Sequence, residues 1–262
     1  MGRVRLRSRQ LPVIIAAPIA SALAAALVFS HAVPASTATG GLTAPPPAFA
    51  GDRPAPLTDP VGVTRWAAVL RATVARRTPA SDGKAVGWVP ARTSDGTANI
   101  VPAAGEVDRD GAMWVRVPLT ALPNGAQGWV RRSALGGWSF VDTRLAIDRA
   151  RLTATLWQGG RVVFRAPIGV GAPRTPTPAG TFYVRDRLNG FSNPEYGPLA
   201  FGTNARSPTL TDWPGGGIVG IHGTNRPDLI PGRVSHGCIR LTNAAILRLG
   251  QLMPIGTPVV IT

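Results

Sequence analysis

The amino-acid sequence predicts a mainly β protein made of short strands joined by tight turns. Three observations predict it. Glycine (31) and proline (26) are frequent enough in 262 residues to interrupt the chain every few positions, and both punctuate turns rather than long helices. Apolar and polar residues alternate in short runs such as Val115-Arg116-Val117, the pattern of a half-buried strand. Leu152, Ala154 and Leu156 alternate with polar neighbours, Gly159-Gly160 follows, and Val162 and Phe164 begin a return. That spells a hairpin with a two-glycine loop.

The elements follow in chain order. Residues 1–10 carry Arg3, Arg5, Arg7 and Arg9, and Leu11 to Phe29 is an almost unbroken apolar run of 19 residues. A basic start before an apolar core is the form of an export signal, and this run is also close to the roughly 20 residues that span a bilayer. Residues 1–30 are therefore expected to be a signal peptide or an N-terminal membrane anchor through 11–29. Val33-Pro34-Ala35 and Ala48-Phe49-Ala50 are the small-x-small cleavage candidates. Either reading keeps the basic end in the cytoplasm and sends the body outside. Residues 31–62, rich in Pro, Ala and Thr, bury too little to fold and read as a flexible tether.

Residues 65–136 form a first ordered part, with strands expected at Trp66–Val74, Ala85–Val89, Ala112–Pro118 and Gln127–Arg131. Residues 139–262 form a second. After the hairpin, Thr175 to Phe182 reads as a rigid turn entering a strand. Asp186 to Gly217 holds many Asn, Pro and Gly with little periodicity, and is expected to be a long functional loop. Ile218, Val219 and Ile221 make a short strand ending at His222. Thr242 is placed to cap a helix over Asn243–Leu252, stopped by Pro254, and Thr257 to Thr262 closes the fold as a strand.

The formal charge is +15, from 28 basic and 13 acidic residues, and Lys84 is the one lysine. Without the four N-terminal arginines the balance is still +11. Such a surface attracts nucleic acid, anionic lipid or an acidic polymer such as cell wall. Export of the body argues against nucleic acid, and charge alone selects no partner among the others. A merely solvated arginine-rich surface is the plain alternative.

Cys238 is the single cysteine, so the chain has no intramolecular disulfide. Of three histidines, His31 lies in the tether, while His222 and His236 bracket the approach to Cys238. They stand in Gly220-Ile221-His222-Gly223-Thr224-Asn225 and Ser235-His236-Gly237-Cys238-Ile239-Arg240. A free thiol has a pKa near about 8.5 and is mostly protonated at neutral pH. A nearby imidazole can accept the proton and hold an ion pair, which raises the reactive fraction. Gly237 leaves the backbone open, so that its amide and its neighbours can donate to an oxyanion. These are the parts of acyl transfer through a thioester. The plain alternatives are a small buried cysteine, a satisfied core histidine, and a zinc site from His222, His236 and Cys238. Structural zinc normally draws on more cysteines.

These residues resemble the L,D-transpeptidase family, also called YkuD-type, whose mark is a histidine followed at a set distance by Ser-His-Gly-Cys. The separation of 16 between His222 and Cys238 matches the shorter form of that motif. The run from Thr175 to Phe182 also looks like the family's upstream segment. The resemblance covers 139–262 and implies a YkuD-type β-sandwich with one or two short helices, and no cofactor or metal. It implies that Cys238 attacks the carbonyl between the third and fourth residues of a tetrapeptide stem and releases D-alanine. His222 would move the protons, oriented by the Gly223 carbonyl. Amides at His236, Gly237 and Cys238 would form the oxyanion hole, and Arg240 would hold a substrate carboxylate. Transfer to a second stem makes a 3→3 cross-link of peptidoglycan. Water as acceptor would make an L,D-carboxypeptidase instead, and an inactive catalytic half would leave a wall-binding protein. Residues 65–136 more loosely resemble bacterial SH3-like modules, through Gly128-Trp129-Val130-Arg131 and the strand rhythm. That resemblance implies a small β-barrel which binds wall or braces the enzyme.

Overall fold

The computed structural model describes residues 62–190, 193–210 and 217–262. The expected signal or anchor, its apolar run 11–29, the cleavage candidates and all of the 31–62 tether but its last residue lie outside the described residues. Among the described residues no helix is long and apolar enough to cross a membrane.

Alternation and turn chemistry decide the elements, and the protein is mainly β. The first strands are β1 (Thr64–Val69), β2 (Thr73–Arg76), β3 (Ala85–Val89), β4 (Ile100–Pro102) and β5 (Gly105–Arg109). Next come β6 (Ala112–Pro118), β7 (Gln127–Arg131), β8 (Leu135–Val141) and β9 (Thr143–Asp148). Then follow β10 (Thr153–Gln158), β11 (Arg161–Pro167), β12 (Gly169–Gly171), β13 (Gly180–Asn189) and β14 (Leu199–Arg206). The last are β15 (Ile218–His222), β16 (Gly232–Ser235), β17 (Ile239–Arg240), the helix α1 (Asn243–Leu252) and β18 (Pro258–Ile261).

Residues 64–141 supply a three-stranded sheet, β4-β1-β8, and a five-stranded one, β3-β2-β7-β6-β5. Every later strand joins one ten-stranded order, β11-β10-β9-β18-β13-β14-β15-β17-β12-β16. β8 runs through 137–138, between the two parts read from sequence, and holds to β1 through pairs such as Ala67 with Trp138. The stretch expected as one strand, Trp66–Val74, is two, β1 and β2, with a break at 70–72.

The hairpin β10–β11 turns at Gly159 (φ 52°) and Gly160 (φ 79°), the paired positive φ of a type I′ turn. Helix α1 starts where the Thr242 hydroxyl accepts the Ala245 N–H at 3.3 Å, a cap that stabilises by about 1 kcal/mol. It buries Ile246 and Leu249 against the large core, where Leu145, Leu156, Phe182, Phe201, Ile221 and Ile239 are all but inaccessible.

The segment expected as a long loop, 186–217, is half sheet in its described part. β13 continues to Asn189, and β14 fills Leu199–Arg206 in the middle of the sheet between β13 and β15. Its first seven residues are all buried, so no alternation marks it. Gly202 fits because Asp186 Oδ1 accepts its N–H at 2.9 Å. A Cβ at 202 would stand 2.1 Å from that same oxygen.

Candidate active site

Two short strands assemble the site. β15 and β17 pair in parallel, Ile221 opposite Ile239 and His222 opposite Arg240. One step back, Gly220 meets Cys238, and its N–H donates to Cys238 Sγ at 3.4 Å. Side chains alternate between the faces of a sheet. Ile221 and Ile239, both inaccessible, sink into the core, and Gly220, His222, Cys238 and Arg240 share the other face. A one-residue slip would turn both isoleucines out of the core, so hydrophobic burial pins the register that brings Cys238 and His222 together. Gly220 leaves one corner of this four-residue patch open. A Cβ there would lie 3.9 Å from Sγ and 4.0 Å from His222 Cδ2, between the sulfur and the imidazole.

Glu195, Tyr196, His222, His236, Cys238 and Arg240 line a pocket of about 100 Å³. His222 is buried and Cys238 half-buried. His222 Nδ1 lies 2.7 Å from the Gly223 carbonyl. A carbonyl only accepts, so Nδ1 carries the proton and Nε2 is left as the ring's acceptor. The Tyr196 ring lies 5.0 Å from the imidazole, tilted by 59°. Gly223 is confined by its neighbours, since a Cβ would sit 2.5 Å from Asn243 Oδ1.

Burial sets the protonation of the pair. It pulls the His222 pKa down to about 4, against the Gly223 carbonyl, which favours the charged ring. It pushes the Cys238 thiol up, against the Gly220 N–H and the Arg240 charge. The sequence allows the imidazole to accept the thiol proton and hold an ion pair. The structure favours a neutral thiol beside a neutral imidazole, because desolvation disfavours both charges.

The loop before the cysteine is braced from beneath. Gly237 has φ 121°, a backbone state that favours glycine. Its N–H donates to Ser235 Oγ at 3.1 Å, and its carbonyl accepts from Thr177 Oγ1 at 2.8 Å. Ser235 Oγ donates to the Cys238 carbonyl at 2.5 Å. Thr175 Oγ1 donates to the Ser235 carbonyl at 3.2 Å, and Gly171 N–H to Thr177 Oγ1 at 2.9 Å. Of the three amides expected to face an oxyanion, Gly237's is thus turned inward to Ser235, while His236 lies exposed in the pocket wall.

Arg240 also lines the pocket, and its Nη2 lies 2.6 Å from Glu195 Oε1. Arg240 Nε has no hydrogen-bond partner among the described residues, so a substrate carboxylate could bind there beside Glu195 or in its place. The structure thus gathers Cys238, His222, Gly223, His236, Gly237 and Arg240, and adds Glu195, Tyr196, Thr175 and Thr177. The two threonines lie in the Thr-Pro-Thr-Pro run visible in the sequence. Nothing local marks Glu195, which reaches Arg240 across 45 residues of chain. Among the described residues no three His, Cys, Asp or Glu side chains are grouped to hold a metal ion.

Part of the chain is similar to known proteins. The L,D-transpeptidase catalytic domain (YkuD) matches residues 142–261. The chain is 38% identical over 121 residues to the candidate L,D-transpeptidase YkuD of Bacillus subtilis (strain 168), covering 46% of this chain and 66% of that protein. It is 39% identical over 122 residues to the like-named protein of Bacillus licheniformis, covering 47% and 67%. Among solved structures it is similar to an Enterococcus faecium L,D-transpeptidase mutant, at 28% identity and TM-score 0.36, over 46% of this chain and 50% of that one. The chain therefore spans about two thirds of the length of these Bacillus relatives and half of the solved chain.

Proposed function

This chain belongs to the L,D-transpeptidase (YkuD) family, and from that premise we propose that it is an exported peptidoglycan L,D-transpeptidase with Cys238 as nucleophile. The observation that carries the proposal is the shared face of β15 and β17, which sets a thiol beside a histidine whose Nε2 is held free to accept a proton. In this reading His222 Nε2 takes the proton from Sγ as the sulfur attacks the carbonyl between the third and fourth residues of a tetrapeptide stem. The neutral resting pair supports proton transfer during attack rather than before it. Backbone amides at His236 and Cys238 receive the oxyanion, and the braced Ser235–Gly237 turn holds them in place.

Collapse expels the amine of D-alanine, which takes the proton back from His222, and leaves a thioester on Cys238. The amine of a second stem attacks the thioester, His222 accepts its proton, and the sulfur leaves and is reprotonated. The product is a 3→3 cross-link. Arg240 binds a substrate carboxylate through its open Nε edge. No step draws on a cofactor or metal. Residues 65–136, proposed to be an SH3-like module, stand beside the catalytic part (139–262) and face the wall polymer. Residues 1–30 carry the body out of the cytoplasm as a signal or anchor, with 31–62 as tether.

Mass spectrometry of residues 62–262 incubated with tetrapeptide stems tests the reading. A cross-linked dimer supports it. A trimmed tripeptide makes the enzyme an L,D-carboxypeptidase, and wall binding with no change in the stems removes the activity altogether.

A further inference from the structure

A second cavity, of about 270 Å³, lies between the N-terminal sheets and the ten-stranded sheet. Its size is near the lower end of the roughly 300–1,000 Å³ of ligand clefts. Two of its lining residues are buried polar groups with unmade hydrogen bonds. Arg185 has a side chain only 6% exposed, and its Nε and Nη2 have no hydrogen-bond partner among the described residues. Its Nη1 reaches Thr120 Oγ1 at 3.4 Å. Asp186 Oδ2 stands 4.0 Å from Nε, beyond hydrogen-bond reach, and its two oxygens already accept from Gly202 N–H and Thr97 Oγ1. Asn99, 4% exposed, donates from Nδ2 to the Pro90 carbonyl at 2.7 Å, while its Oδ1 accepts nothing among the described residues.

Buried donors and acceptors are normally paired, and leaving them open is destabilising. The open edge of Arg185 is the one that, in Arg226, grips the Asp228 carboxylate at 3.0 and 2.8 Å. A ligand that answers Arg185 and Asn99 together brings an acid or carbonyl oxygen and an N–H or O–H. Arg206 adds a second cation to the wall. Trp88, 61% exposed on the edge strand β3 and also lining the cavity, offers a flat apolar face.

This cleft is not isolated from the Cys238 pocket. Ile218 lines both, and Arg206 lines the cleft while the next residue, Ser207, lines the pocket. We propose that the cleft is a second substrate subsite, which takes the sugar end of a wall glycopeptide through its amide carbonyls and its N–H and O–H groups, while its peptide stem occupies the Cys238 pocket. The inference rests on the wall-enzyme reading above. It gives the N-terminal module a share in substrate binding, because Trp88 and Asn99 come from that side.

Calorimetric titration of the Cys238→Ala chain, with a disaccharide-tetrapeptide and separately with the free tetrapeptide, reads the subsite without turnover. The disaccharide form is expected to bind about tenfold tighter. Trp88→Ala and Arg206→Gln each erase that advantage and leave the free tetrapeptide's Kd where it was, and Trp88→Phe keeps part of it. Equal binding of the two ligands, or equal weakening of both in the variants, overturns the subsite. Thioester formation by the unmodified chain is followed in parallel. Discrimination without a thioester sinks the enzymatic reading and keeps the cleft, whereas a thioester without discrimination sinks the cleft alone.

Discussion

The Cys238 pocket and the cleft beyond it share Ile218 as a wall, but they treat their polar groups differently around the reacting atoms, with Arg240 Nε as the pocket's one unanswered buried atom among the described residues. In the pocket, His222 Nδ1 is tied to Gly223, Sγ receives the Gly220 N–H, and the turn before the sulfur is stitched to Thr175 and Thr177. In the cleft, Arg185 and Asn99 keep hydrogen-bonding atoms unanswered. Groups that react must be held in one geometry before substrate arrives, since a misplacement of about 1 Å can slow a reaction about a hundredfold. Groups that only bind must keep valences for the ligand. The contrast sorts the two cavities by task, chemistry in one and recognition in the other.

The sharpest way to break that contrast is to remove the sulfur. The unmodified chain is expected to form a covalent adduct with a carbapenem, and Cys238→Ser to lose it, read by intact-protein mass spectrometry, with the unfolding midpoint unchanged. An adduct that persists would move the chemistry elsewhere. His222→Gln keeps a polar side chain but loses the base, and should slow acylation about 10²–10⁴-fold in a stopped-flow assay. Gly220→Ala puts a methyl into the open corner beside Sγ and the imidazole. It should slow acylation about tenfold, by the same sensitivity to position. An unchanged rate would mean that this corner is not on the proton's path.

Burial of His222 also makes a stability prediction. Its pKa is about 4 in the folded chain and about 6.5 when unfolded, so between those values the unfolded chain binds the extra proton. The His222 contribution is therefore fully present above about pH 6.5 and is lost as pH falls toward 4, by about 3 kcal/mol. Urea midpoints across that range check it, and His222→Gln should flatten that part of the slope. The smallest effect belongs to Glu195, whose charge raises the Cys238 pKa. Glu195→Gln should shift the pH midpoint of thiol alkylation downward. An upward shift would mean that the ion pair with Arg240 acts on the sulfur in some other way.

Much of the frame could be read from the chain because single-sided burial leaves a trace. Ala85–Val89, Ala112–Pro118, Gln127–Arg131 and Ile218–His222 are strands over the spans expected, and the helix capped by Thr242 runs from Asn243 to Leu252. β14 left no such trace. Covered on both faces, and carrying Gly202, Thr203 and Asn204, it looks like loop until Asp186 is seen to answer its glycine N–H. β4 is only three residues long, and β5 is an edge strand with Glu106, Asp108 and Arg109. In the site, Cys238 and His222 declare themselves by rarity and spacing. Glu195 and Tyr196 do not, because tertiary contacts alone bring residues 193–196 over the imidazole. The protonation state was equally hidden, since it depends on how deeply His222 is covered.

The parallel pairing of β15 with β17 has a consequence for how this architecture can change. Antiparallel neighbours can be joined by a tight turn, but parallel ones need a longer crossover, here residues 223–238, which add β16 at the sheet edge on the way. The distance along the chain between histidine and cysteine therefore measures that detour and not the gap between imidazole and sulfur. Segments grafted between Asn225 and Pro231, ahead of β16, could add or remove recognition without touching the reacting atoms. Residues 225–231 are the plastic part of the detour, and the braced turn at 235–238 with the isoleucine pair beneath it is the fixed part.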